Sequence, residues 1–254
     1  MTTNENISAS YGSTTAQPEL GDGEPPHAAL NEEPRDAVKP PPSVAFLIPA
    51  FDEAANVGRV VRVALSTGLG PVLVVDDGST DGTAAAARAA GAKVLRLEEN
   101  SGKGGALAAG AAALSEEVLV LLDADLVGLT ADQIRNLVAP VMRGEADMTR
   151  GSFTGGRWRT TAAQKIAPQL SGQRAVLREK LLSVPGLAES RYGVEIAITR
   201  EAKERAWRSA DVDLPGVSQV MKEEKLGRRA GFMARLKMYR DLLWTLVSGR
   251  WKER

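Results

Sequence analysis

Val118-Leu119-Val120-Leu121-Leu122-Asp123-Ala124-Asp125 is an unbroken apolar run that ends in two aspartates one residue apart. Large apolar residues in sequence, with no polar alternation, read as a strand buried on both faces. The same pattern recurs toward the N-terminus. Val44-Ala45-Phe46-Leu47-Ile48 is halted by Pro49, Val72-Leu73-Val74-Val75 runs into Asp76-Asp77-Gly78-Ser79, and Val94-Leu95-Arg96-Leu97 is a further strand. Between these runs, Val57, Val60, Val61, Ala64 and Leu65 fall at helical spacing, as do the alanine-rich Thr83–Ala90 and the segment Gly104–Leu114. Gly68 and Gly91 stop the first two of these helices. Strands alternating with helices in this way predict an α/β chain with a mostly parallel central sheet covered by helices on both faces.

In such sheets ligands bind beyond the carboxyl ends of the strands. Asp52 and Glu53 follow the first strand, Asp76 and Asp77 the second, and Asp123 and Asp125 the fourth, so one rim gathers the carboxylates. At a strand end Asp123 and Asp125 can both reach one cation, and hard oxygen ligands favour Mg²⁺ or Mn²⁺. A cation there neutralises the charge that grows on a departing diphosphate. Taken alone, the Asp-x-Asp triplet also fits a solvated turn. In Asp76-Asp77-Gly78-Ser79-Thr80-Asp81-Gly82 the carboxylates suit a ribose or a pyrimidine N–H, while Ser79 or Asp81 can equally cap the next helix. Asn100-Ser101-Gly102-Lys103-Gly104-Gly105 opens a helix with exposed backbone donors, a natural anion site. It lacks the flanking glycine and the Ser or Thr of a Walker A loop. Lys103 is placed to touch a phosphate.

The order of these clusters resembles the donor half of family-2 glycosyltransferases with the GT-A fold. Ile48-Pro49-Ala50-Phe51-Asp52-Glu53, Val74-Val75-Asp76-Asp77-Gly78-Ser79-Thr80-Asp81, Gly102-Lys103-Gly104-Gly105-Ala106-Leu107 and Leu122-Asp123-Ala124-Asp125 stand in register across residues 44–126. The resemblance implies transfer of a hexose from a nucleoside diphosphate sugar such as UDP-glucose. It assigns Pro49, Ala50, Glu53 and Asp77 to the nucleoside, Lys103 to the donor, and Asp123 and Asp125 to the metal. Leu181-Leu182-Ser183-Val184-Pro185 and Tyr192-Gly193-Val194-Glu195-Ile196 resemble glucosyl-3-phosphoglycerate synthases and the related mannosyl enzymes, as does Gly155-Gly156-Arg157 with Thr160 and Thr161. On that likeness Gly156, Arg157, Thr160, Gln173 and Arg174 meet the acceptor, and Glu195 is the base or acceptor-orienting carboxylate. Those synthases take a metal-binding histidine from their C-terminal half. Here the one histidine is His27. Gln219 is the nearest polar stand-in as a third ligand, with water as the alternative. The acceptor class is a small phosphorylated molecule or a polyprenyl phosphate, the latter as in the more distant dolichyl-phosphate mannose synthases.

The 254 residues leave room for one large α/β domain or two small ones, and the zero net charge gives no argument for nucleic acid. Cysteine is absent, which excludes disulfides and thiolate metal sites. No apolar run approaches the roughly 20 residues of a membrane span, and the start lacks a secretory pattern, so a cytoplasmic location is expected. Residues 1–42 are acidic, proline-rich and poor in large apolar groups, the composition of a disordered tail. A glycosyltransferase domain is expected over 43–230, with a nucleotide-sugar half (43–126) and an acceptor half (127–230). Past residue 150 the alternation fades. Gln173–Leu182 and Val194–Trp207 read as helices, and Val212-Asp213-Leu214 as a short strand. In 231–254, Phe232, Leu236, Tyr239, Leu243 and Leu246 form the apolar stripe of a basic amphipathic helix. It would dock on the core, join a second copy, or lie on an anionic membrane. Two other classes remain in play. A sugar nucleotidyltransferase also uses an aspartate pair, a metal and a Gly-Lys loop, and a non-catalytic nucleotide-sugar-binding protein would need fewer of these groups.

Overall fold

A computed structural model describes residues 40–154 and 172–220. The tail up to residue 39 and the basic segment 231–254 lie outside the described residues. Strands and helices alternate first: β1 (Val44–Ala50), α1 (Val57–Ser66), β2 (Val72–Asp76), α2 (Thr83–Ala89), β3 (Lys93–Arg96), α3 (Gly102–Ala113) and β4 (Val118–Leu121). There follow β5 (Leu126–Val127), α4 (Ala131–Met142), β6 (Met148–Thr154), β7 (Arg174–Leu177), α5 (Arg178–Leu182) and a 3₁₀ segment (Ala188–Gly193). The described chain closes with α6 (Val194–Glu204), β8 (Ser209–Pro215) and β9 (Ser218–Gln219).

One sheet takes the order β3-β2-β1-β4-β7-β6-β8, and β5 pairs with β9 in a separate ribbon. Neighbours run parallel except at β7, which is antiparallel to both β4 and β6. The other six strands therefore share one direction. Period-two alternation divides the core. Val44, Phe46, Ile48 and Ala50 face α1, α2 and α4, where Val57, Val60, Val61, Ile134, Leu137, Val138 and Val141 complete the packing. Ala45 and Leu47 face the other way, against Leu107 and Ala111 of α3 and Val194, Ile198 and Ala202 of α6. Both faces are thus buried, which is why the strands read as continuous apolar runs.

The structure departs from the sequence reading at several points. β1 continues through Pro49 to Ala50. Phe46 and Ala50 bond toward β2, whereas Leu47 bonds to Leu122 on the β4 side. Pro49 also faces the β4 side, so the N–H it lacks is the one that would extend that ladder. Pairing with β4 stops at Leu47 and Leu121. Arg174–Leu177 is a strand rather than the start of a helix. Ala175 and Val176 are fully buried between β4 and β6, and two-sided pairing overrides residues that would otherwise suit a helix. α3 begins at Gly102, two residues before the expected Gly104. α6 stops at Glu204, and Ala206 in the left-handed region turns Trp207 into the core. Helix α4 carries a reciprocal Thr130–Gln133 capping box, a signal that strand–helix alternation passes over.

Candidate active site

From β1 the chain moves outward to β2 and β3, then returns to place β4 on the other side of β1. The order reverses there, and the crevice outside the carboxyl ends of β1 and β4 is the expected ligand site. The loops after β1 and β2 brace each other beside it. The Asp52 N–H donates to Ser79 Oγ at 3.0 Å, and the Thr80 N–H donates to Asp52 Oδ1 at 2.9 Å. The Glu53 N–H donates to Thr83 Oγ1 at 2.8 Å, and the Ala54 N–H to Asp81 Oδ2 at 3.1 Å. Asp81, which precedes the N-cap Gly82, also accepts from the Thr83 N–H, so it holds the start of α2 as well as joining the two loops. Burial works against ionisation of Asp81, but hydrogen bonds from Thr83 and Ala54 prevail and its carboxyl is lowered from its ordinary value.

Asp77 takes the anion position that the glycine-rich segment was expected to offer a ligand. Its carboxylate accepts from Ser101 N and Ser101 Oγ at 2.8 Å each and from Gly102 N at 2.8 Å. A side chain of the protein thereby satisfies the start of α3. Asp77 is buried, so its carboxylate anchors this helix at the rim. The glycines of this turn have a packing reason too. A Cβ at Gly104 would lie 2.4 Å from the Leu187 carbonyl oxygen, because the 3₁₀ segment rests directly on α3.

Lys103 is held at the centre of the crevice. Its Nζ lies 2.5 Å from Asp123 Oδ1 and 2.5 Å from Glu195 Oε1. Lys103 comes from the first turn of α3, Asp123 from just beyond β4, and Glu195 from the first turn of α6. The other oxygen of Asp123 accepts from Gln173 Nε2 at 2.8 Å and Gln219 Nε2 at 2.5 Å. Gln219 arrives through the β5–β9 ribbon, which registers it opposite Leu126. Gly172 completes the wall. A Cβ there would sit 2.6 Å from Lys103 Nζ and 2.7 and 2.8 Å from the Asp123 oxygens, so only glycine leaves this space clear. Burial opposes charge on Lys103, but the facing Asp123 and Glu195 carboxylates outweigh it and raise its pKa. Asp123 shows the mirror case. Burial pushes its carboxyl up, while the Lys103 charge and the bonds from Lys103, Gln173 and Gln219 bring it down.

A model of glycosyl transferase family 2 matches residues 45–190. The chain belongs to this family. Over 251 aligned residues this family-2 glycosyltransferase is 29% identical to the glucosyl-3-phosphoglycerate synthase of Mycobacterium tuberculosis H37Rv, covering 84% of this chain and 75% of that one. Crystal structures of a Mycobacterium tuberculosis glucosyl-3-phosphoglycerate synthase superpose on it. The complex with Mn²⁺, UDP-glucose and phosphoglyceric acid gives a TM-score of 0.60 at 29% identity, covering 70% of this chain and 72% of that one. The complex with Mg²⁺ and UDP gives 0.66 at 27% identity, with 82% and 79% covered. The mostly parallel sheet and its two helical layers are thus a GT-A fold. Membership of the family sets the nucleotidyltransferase reading aside.

The glycosyltransferase brings Lys103, Asp123, Glu195 and Gln219 into one cluster, with Asp125 on the same turn and its backbone oxygen accepting from Val220 N at 3.1 Å. Among the described residues no group of three His, Cys, Asp or Glu is arranged to hold a metal. Gln219 lies beside Asp123 with its amide nitrogen donating to Oδ2. Pro49 and Glu53 are half-buried at the rim, Ala50 is buried, and Glu53 accepts from Asn56 Nδ2 at 2.9 Å. Gln173 and Arg174, expected on the acceptor, are both buried and turned to protein partners. Their strand runs antiparallel to its neighbours, so its first residues rather than its last lie at the rim. Gly156, Arg157 and Thr160 lie outside the described residues. Sequence reasoning passed over Gly172 and Thr199. No local signal marks either one, because each matters only for what the fold sets beside it.

Proposed function

We propose that this glycosyltransferase moves glucose from UDP-glucose to a hydroxyl of a small phosphorylated acceptor such as 3-phosphoglycerate, with Mg²⁺ or Mn²⁺ held by Asp123, Asp125 and Gln219. The observation that carries the reading is the meeting of Lys103, Asp123 and Glu195 beyond the carboxyl end of β4. The substrates are those of the mycobacterial synthase solved with UDP-glucose and phosphoglyceric acid. The donor set suits a hard cation, since two carboxylates and the carboxamide oxygen of Gln219, whose nitrogen faces Asp123 here, are hard oxygen ligands. The absence of a side chain at Gly172 keeps the flank of Asp123 clear, which supports the same assignment. When bound, the cation supplies neutralisation of the departing diphosphate.

The chain's own residues do the rest. Pro49, Ala50 and Glu53 border the nucleoside. Lys103, kept protonated by its two carboxylates, offers an ammonium to the donor phosphates. Glu195 accepts a hydrogen bond from the acceptor hydroxyl and aims its oxygen at the sugar. Transfer breaks the bond between sugar C1 and the diphosphate oxygen and forms one between C1 and the acceptor oxygen. The hydroxyl proton passes to the Glu195 carboxylate or to the departing diphosphate oxygen. Gly156, Arg157 and Thr160 are assigned to the acceptor phosphate on family resemblance. No described helix is long and apolar enough to cross a membrane. We assign a cytoplasmic site of action, with residues 231–254 docking on the core, on a second copy or on an anionic membrane. Liposome flotation with and without residues 230–254 separates the last of these.

The test of the central reading is Asp125→Ala in a calorimetric titration of UDP-glucose with and without Mn²⁺. The wild type binds the donor more tightly with the metal, and the variant loses that gain. Metal-dependent binding that survives in Asp125→Ala would remove Asp125 from the site. A folded wild type with no affinity for UDP-glucose would overturn the donor assignment.

A further inference from the structure

We propose that Arg174 is a positioning residue for Glu195, acting with Thr199 from beneath α6. This rests on the reading of Glu195 given above. The argument begins with the direction of β7. Because this strand alone opposes its neighbours in the sheet, its N-terminal residues stand at the catalytic rim. Adjacent residues of a strand point to opposite sides. Gln173 accordingly reaches Asp123, while Arg174 passes under the first turn of α6.

Arg174 is 1% exposed and among the largest fully buried side chains. Its Nη2 donates to the Glu195 carbonyl oxygen at 3.3 Å and to Thr199 Oγ1 at 3.0 Å, and Nη1 lies 3.4 Å from Met148 Sδ. The Thr199 hydroxyl in turn donates to the same Glu195 carbonyl at 2.7 Å. The backbone of Glu195 is thus gripped from below by a guanidinium and a hydroxyl, while its carboxylate reaches Lys103 above. Burial lowers the Arg174 pKa to about 10, with Glu195 favouring the charged form, so it remains a cation at neutral pH. Burying a guanidinium is expensive, and an apolar side chain would fill the same volume more cheaply. Its partners point to what the charge does there. It fixes the helix turn that carries Glu195 and adds positive potential beneath that carboxylate.

The experiment uses the full chain with Mn²⁺, UDP-glucose and 3-phosphoglycerate, comparing Arg174→Met, Thr199→Val, Glu195→Gln and the doubles with Glu195→Gln. Thr199→Val keeps the shape of the side chain and guards against a folding defect in the arginine variant. Both single variants are expected to lower kcat roughly 10- to 100-fold through misplacement of the carboxylate. The KM for UDP-glucose stays unchanged. In the Glu195→Gln background neither substitution lowers kcat further, because both act through the same group. Hydrogen exchange at the Thr199 amide, which bonds the Glu195 carbonyl in the helix, speeds up in both variants without substrate present. Effects that multiply with Glu195→Gln would overturn the proposal, as would unchanged exchange at Thr199 or a loss confined to acceptor KM. If Glu195→Gln alone keeps full kcat, the reading of Glu195 falls. If it loses activity while Arg174→Met and Thr199→Val do not, only the positioning role falls.

Discussion

Replacing Lys103 with methionine removes the ammonium that bridges two enclosed carboxylates, and the consequences can be worked out from the geometry. Lys103 Nζ lies 2.5 Å from both Asp123 and Glu195, whose side chains are each 13% exposed, against 21% for the lysine. At separations near 4 Å between charge centres and an effective dielectric of about 20, each attraction is worth about 4 kcal/mol before desolvation. Breaking a buried pair by deleting one partner costs about 3–5 kcal/mol, because the remaining charge stays enclosed. At about 2–4 °C per kcal/mol for a chain of this size, Tm should fall by roughly 10 °C at pH 7 in metal-free buffer.

The pH dependence carries the sign. In the wild type the Asp123 carboxyl is lowered from its ordinary 3.8, so its stabilisation is present above that value and lost as pH falls through the folded value. In the variant the two carboxylates face each other and one is raised. The deficit against wild type should therefore be largest at neutral pH and shrink toward pH 5. Mn²⁺ should also restore Tm in the variant more than in the wild type, since a cation takes the place of the ammonium. Differential scanning calorimetry at pH 5 and 7, with and without Mn²⁺, reads all three quantities. A Tm within about 2 °C of wild type, or a deficit that grows on acidification, would refute the reasoning.

Two further substitutions probe the walls of the site. Gly172→Ala sets a Cβ against Lys103 Nζ and both Asp123 oxygens, and is expected to weaken Mn²⁺-dependent UDP binding at least tenfold, about 1.4 kcal/mol. Unchanged calorimetric affinity would mean that this flank has room to spare. Gly104→Ala drives a Cβ into the Leu187 carbonyl and should destabilise the fold by about 1–3 kcal/mol in urea unfolding, by forcing the 3₁₀ segment off α3. A midpoint equal to wild type would show that the segment shifts freely.

Most of the nucleotide half is legible in the sequence. The strands β1, β2 and β4 are written as apolar runs because both sides of the sheet are covered, and helices α1 and α2 show a buried stripe at helical spacing. Glycine and aspartate clusters after those strands mark the rim. Each of these signals is local, set by backbone period and by what one short segment must bury. The second half is legible only in part, and β7 shows why. Arg174-Ala175-Val176-Leu177 has no strand pattern of its own and becomes one because β4 and β6 present unpaired edges on either side.

What the sequence by itself determined was the alternating α/β order, the rim that gathers carboxylates, and Lys103 and Asp123 as residues to watch, with Glu195 added by the family resemblance. What only the tertiary structure decided was which of them touch. Lys103 and Glu195 are 92 residues apart and Gln219 and Asp123 are 96 apart, yet each pair meets at hydrogen-bond distance. The same folding gave Asp77 to the start of α3 and turned Arg174 away from the crevice. Local spacing fixes the direction of a side chain within its own element. Contacts across some ninety residues depend on how elements stack to bury apolar faces, and on which buried polar groups must then find one another.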